Sequence, residues 1–83
     1  MAYEEILFLH GADAEPFLHK AEEEGRNALL DDLHCYYCSG HHKVVSDKDL
    51  RIFEDDEVIK DGAFIAWWNP KDGYVGFAKK LFN

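Results

Sequence analysis

Long apolar runs are missing from this sequence. None approaches the ~20 residues that span a bilayer, so neither a membrane helix nor a membrane partner is expected. The amino terminus, MAYEEILFLHG, places Glu4 and Glu5 where a signal peptide needs Lys or Arg. Cysteine is scarce as well. Cys35 and Cys38 are too few for a secreted disulfide scaffold and too close together for an effective loop-closing crosslink. These absences point to a cytoplasmic protein. Lys and Arg are also short, 9 against 17 Asp and Glu, for a formal charge of -8. Nucleic-acid affinity comes largely from cations that release counterions, so direct binding to a phosphate backbone is disfavoured. A basic partner is favoured, although acidity also serves ordinary solubility.

Catalytic motifs are equally thin. There is no Gly-rich phosphate loop, no Gly-x-Ser-x-Gly elbow and no His-Glu-x-x-His. The acidic stretch 54–57 lacks the glycine and distal glutamate of an EF-hand loop. No nucleophile, base and orienting group can be assembled, so the chain is read as a non-enzyme with no catalytic residue assigned.

What is present is a foldable core. Hydrophobic residues make up 47% and aromatics 14%, too many for a disordered acidic tail, and 83 residues hold one domain, 1–83. Charge is unevenly placed: residues 1–62 hold 16 acidic and 6 basic side chains, whereas 63–83 hold Asp72 against Lys71, Lys79 and Lys80.

Ile6-Leu7-Phe8-Leu9 is too short for periodicity to separate strand from helix, with a lean to strand. Ala14, Phe17, Leu18 and Ala21 mark one face of a helix, with Asp13 as its cap, Pro16 in its first turn and Gly25 at its end. A second helix runs from a cap at Asn27 along Leu29, Leu30, Leu33, Tyr36 and Tyr37, and stops at Gly40. Strands are expected at 43–46 and 50–53, then an acidic turn at 54–57. A hairpin follows, turning on Asp61-Gly62 as type I′. Residues 63–68 are apolar on both faces, as in a central strand, and 69–73 form a second turn into a last strand from Tyr74. The expected fold is α+β, with N-terminal helices packed on a small C-terminal antiparallel β-meander. Its unpaired sheet edges allow a homodimer.

Two groups of residues invite a functional reading. The first is HCYYCSGHH, residues 34–42, in which Cys35 and Cys38 with either His41 or His42 could ligate zinc, the fourth donor coming from His34, His10 or His19. Against zinc, the first cysteine lies in a helical stretch and no second paired motif exists, so no cofactor is expected and zinc stands as the alternative. A redox thiol pair fits less well, because the pair sits near a helix C-terminus, where the dipole does not lower thiol pKa. The second group is Trp67 and Trp68, which a strand points to opposite faces. A domain this small rarely covers both, so one Trp is expected on an open face. With Gly76 beneath its ring and Tyr74 beside it, it would form an aromatic partner-binding platform.

Trp68, Asn69, Pro70, Gly73, Tyr74, Val75 and Gly76, together with the preceding helix ALLDDLHCYY, make the last ~55 residues resemble small phage and prophage accessory proteins. The shared pattern is an aromatic helix end, an acidic connection and a Gly-Tyr-Val-Gly hairpin. The resemblance implies a phage-encoded protein that binds and blocks a host machine, restriction and CRISPR systems included, and it carries over no active-site residues. The expected function is therefore an acidic binding protein for a basic host surface, by DNA mimicry where that host protein binds nucleic acid. Its carboxylates are Glu22, Glu23, Glu24, Asp31, Asp32, Glu54, Asp55, Asp56 and Glu57. The alternative is a zinc-stabilised interaction module built on Cys35, Cys38 and the histidines.

Overall fold

A computed structural model describes residues 2–40 and 42–81. Its strands are β1 (Ala2–His10), β2 (Lys43–Ser46), β3 (Glu57–Asp61), β4 (Phe64–Asn69) and β5 (Tyr74–Lys80). They form one antiparallel sheet in the order β2-β1-β5-β4-β3. Helices α1 (Glu15–Glu24) and α2 (Arg26–His34) pack on one face of it. The fold is α+β, but the sheet is not a C-terminal meander alone. The N-terminal strand β1 lies inside it, between β2 and β5.

A bulge explains why the start of the chain has no clear period. The register of β1 against β5 shifts between Glu5 and Leu7, so Ile6 and Leu7 both join the helix-side core while Phe8 joins the opposite one. Helix α1 begins after Ala14 without a side-chain cap, and Asp13 belongs instead to a short 3-10 turn, Gly11–Asp13. Gly25, at φ 95°, both ends α1 and starts α2, so Asn27 is not a cap. Helix α2 stops at His34, short of the tyrosines. Backbone bonds from Cys35 N to Asp32 O (3.1 Å) and Tyr36 N to Leu33 O (3.0 Å) tighten its end, and a separate 3-10 turn follows at Tyr37–Ser39.

The sheet is covered on both faces. Phe17, Leu29, Leu30 and Leu33 of the helices meet Trp68, Val75 and Phe77 on one side. On the other, Ile65, Trp67, Tyr74 and Ala78 are covered by Leu50 and by Phe53, whose ring stands edge-on to Tyr74 at 6.0 Å. The cover runs through residues 50–56, where no strand forms; the strand expected at 50–53 is irregular chain that takes its order from the aromatics beneath it. Trp67 is therefore fully buried and Trp68 nearly so. Neither tryptophan forms the expected open face.

The β3–β4 hairpin turns one residue later than expected. Asp61 pairs with Phe64, leaving Gly62-Ala63 as the loop, and only Gly62 has positive φ (62°). Type I′ needs positive φ at both positions, so the geometry is of the II′ kind. In the β4–β5 loop, Asn69 Oδ1 accepts the Asp72 N–H at 3.0 Å and Asn69 O accepts the Gly73 N–H at 2.7 Å.

Candidate functional site: an acidic groove beside the helices

Where α1 begins, α2 ends and β1 leaves the sheet, the three elements meet imperfectly and leave a groove of about 730 Å³. Leu7, Leu9, Pro16, Phe17 and Tyr36 form its apolar lining, and Asp13, Asp32 and Cys35 its polar edge. Tyr36 packs edge-on against Phe17 (5.6 Å) yet stays 40% exposed, a large aromatic surface left in contact with water. Tyr36 reaches the groove from the turn that follows the end of α2 at His34.

Carboxylates extend outward from that edge. Lys20 lies 3.1 Å from Asp32 and 3.9 Å from Glu24, so the end of α1 and the last turn of α2 share one cation. The hydrogen bond with Asp32, then the charges of Asp32 and Glu24, hold the Lys20 ammonium above its ordinary value. Glu22, Glu23, Glu24 and Asp31 are exposed. His19 lies 3.5 Å from Glu23. The structure thus places five of the expected carboxylates, Glu22, Glu23, Glu24, Asp31 and Asp32, on the helical layer; of these, Asp32 lines the groove, and Glu22, Glu23 and Glu24 sit at the far end of α1.

The other expected residues go elsewhere. Glu54, Asp55 and Glu57 are exposed, but they sit beside the cover of the opposite face. Asp56 belongs to the fold: its carboxylate accepts from the Phe53 N–H (2.9 Å), Asn69 Nδ2 (3.3 Å) and the Tyr74 hydroxyl. Burial first, and then the Asp56 carboxylate, push the Tyr74 phenol from 10.0 up to about 12. Trp67, Trp68 and Tyr74 are buried, which corrects their assignment as a partner-binding surface. Gly76 does lie against Trp67 as expected, but inside the molecule.

Cys35 and Cys38 are free, exposed thiols. Cys35 Sγ donates to Asp31 O at 3.6 Å, His34 Nε2 lies 3.4 Å from Asp61, and His42 Nδ1 meets Glu4. His41 lies outside the described residues. Among those described, no three His, Cys, Asp or Glu side chains converge as a metal group.

A polar cluster at the β1–β5 end was not anticipated. Glu4 and Lys79 are cross-strand neighbours, yet Glu4 binds His42 while Lys79 donates to the Tyr37 hydroxyl at 3.0 Å. His42 stacks on Tyr37 at 5.5 Å. The bond with Tyr37 holds the Lys79 ammonium above its ordinary value. A half-buried glutamate on the helix-facing side of β1 was the available clue. The cluster pins the 3-10 turn to the sheet, and it lines neither the groove above nor the cleft below.

That cleft, of about 600 Å³, lies between the β1–β2 edge and the start of the covering segment. Glu5, Phe8, Lys43, Val44, Val45, Lys48, Asp49 and Arg51 line it. No family model, curated protein or solved structure matches the chain.

Proposed function

We propose that the chain is a non-enzymatic binding protein that docks onto a basic surface of a host protein through the acidic groove. Phage origin, the reading drawn from the hairpin resemblance, is part of this proposal, as is interference with a host defence or nucleic-acid machine. The observation that carries it is the coincidence of an apolar groove with a carboxylate rim, Leu9, Phe17 and Tyr36 beside Asp13 and Asp32. The complementary partner presents an apolar side chain flanked by Lys or Arg. The apolar contact supplies affinity, while Glu22, Glu23, Glu24 and Asp31, exposed on the same two helices, steer the encounter at longer range and oppose acidic competitors. Where the partner binds nucleic acid, the same carboxylates occupy its phosphate track.

Capture of partners from host lysate at low and high salt tests this, with variants on both acidic groups. Tyr36→Ala and the Asp13→Lys/Asp32→Lys pair should each release the partner. Glu54→Lys/Asp55→Lys should retain it, and capture should weaken with salt as exposed charges are screened. A partner held equally by the groove variants refutes the reading. A second reading, a zinc-stabilised module, rests on two free, exposed thiols three residues apart. Metal binding is coupled to folding in such modules, so an unchanged melting transition with chelator removes it.

A further inference from the structure

The two outer edges of the sheet are not equivalent. On β3, the Val58 carbonyl is taken by Arg26 Nη2 at 2.5 Å, with the guanidinium also over the Trp68 ring. One outward carbonyl of that edge is thus capped by a side chain. At the β2 edge, the neighbouring strand β1 sets the pattern: its Ala2 carbonyl accepts from Leu81 N (3.0 Å) on the β5 side, and antiparallel strands alternate their hydrogen-bonding direction. Tyr3 and Glu5 therefore face β2 and pair with Val45 and Lys43, which leaves the backbone groups of Val44 and Ser46 pointing outward. The Val44 side chain is 66% exposed.

Charge singles out this edge again. The chain carries -8, yet three of its 9 basic residues, Lys43, Lys48 and Arg51, line the cleft beside β2. Among the described residues none of the three has a carboxylate within ion-pair distance. Of the two acids in the cleft, Asp49 accepts from Ser46 Oγ at 2.8 Å, and Glu5 lies across from Lys43 without an ion pair.

We infer that β2 is a docking edge for an extended acidic segment of a partner, added as a sixth, antiparallel or parallel strand beyond the observed 5-stranded sheet. Lys43 and Val44 point to opposite faces, so the incoming strand alternates carboxylates, toward Lys43, Lys48 and Arg51, with apolar residues that cover Val44. The same cations disfavour the β2 edge of a second copy, because like charges would be brought together. This surface is separate from the acidic groove and takes a partner of opposite charge.

The probe is the capped peptide acetyl-Glu-Val-Glu-Val-Glu-Val-amide, compared with its Lys-Val counterpart, by calorimetry and amide exchange. The acidic peptide should bind and slow exchange at Val44 and Ser46. Val44→Pro, which removes an outward N–H while sparing the β1 ladder, should abolish binding. Lys43→Glu/Arg51→Glu, which leaves the backbone intact, should weaken it at least about tenfold. The proposal is overturned by equal binding of the Lys-Val peptide, by binding that survives both variants, or by no binding at all. Protection of Val44 and Ser46 without peptide, growing with protein concentration, would instead assign the edge to a second copy and also overturn it.

Discussion

The indole of Trp67 lies against the backbone of Gly76, its cross-strand partner. A Cβ built on Gly76 would stand 2.8 Å from the indole Nε1 and closer still to Cε2 and Cζ2. Trp67 is fully buried, so the ring has no free space into which to retreat. Gly76→Ala should therefore cost about 2 kcal/mol through overpacking, or roughly 10 °C in melting temperature for a domain of this size. A loss within experimental error in thermal denaturation would show that the ring slides aside.

Both tryptophans should behave as core residues. Their fluorescence should resist a collisional quencher until the protein unfolds, and Trp67→Ala should cost about 3–5 kcal/mol. Quenching of half the native signal would return one indole to the surface.

Tyr74 links stability to alkaline pH. Its pKa is raised from 10.0 to about 12 in the fold, so the contribution is complete below pH 10.0 and lost as pH rises through about 12. The wild type should show a fall in melting temperature over that window that Tyr74→Phe lacks. Equal alkaline slopes for the two proteins would contradict the burial and the Asp56 contact.

Asp56 should stand apart from its acidic neighbours. It accepts from Phe53, Asn69 and Tyr74, tying the covering segment to the sheet. Asp56→Ala should cost about 2 kcal/mol, since the part-buried Asn69 and Tyr74 donors lose a charged acceptor. It should also speed proteolysis within 47–56. Glu54→Ala and Asp55→Ala should stay within about 0.5 kcal/mol of wild type.

The two thiols should be separable by position. Both are exposed and should react with a maleimide in the native protein, but only Cys35 lines the groove. In Cys38→Ser, modification of Cys35 should block the partner captured through Tyr36 and Asp32. In Cys35→Ser, modification of Cys38 should leave capture intact. Equal effects would detach the groove from binding.

Much of the architecture was legible because local chemistry dictates it. Phe17, Leu18 and Ala21 mark α1, the apolar run before Asn69-Pro70 marks β4, and Gly25 and Gly73 mark breaks the backbone cannot make cheaply with other residues. Three readings failed because contacts and pairing outvoted local pattern, in two of them with neighbours distant in sequence. The stripe through Tyr36 and Tyr37 looked helical, but Tyr37 is drawn to Lys79, His42 and Phe64 on the sheet. Residues 50–53 looked like a strand, but they cover a sheet face without joining its ladder. The turn at Asp61-Gly62 shifted because the Asp61–Phe64 register, set by the β3–β4 pairing, places Gly62 at the first corner.

The candidate site was legible only in part. The carboxylates and the aromatics were visible as letters, but not which were free. Nothing local distinguishes Asp56 from Asp55; the difference is the reach of Asn69 and Tyr74 across the sheet.

By itself the sequence determined a small acidic α+β fold, its helix-forming stripe, the turn after Asn69 and its excess of carboxylate. These follow from composition, periodicity and backbone stereochemistry. Tertiary structure decided that β1 lies within the sheet, that both tryptophans are buried and that Asp56 is structural. It also decided that Tyr36 and Asp32 border one groove while Lys43, Lys48 and Arg51 border a cleft elsewhere. Those outcomes depend on which residues meet across long loops, and burial and pairing energies are set by the assembled surfaces rather than by sequence neighbours.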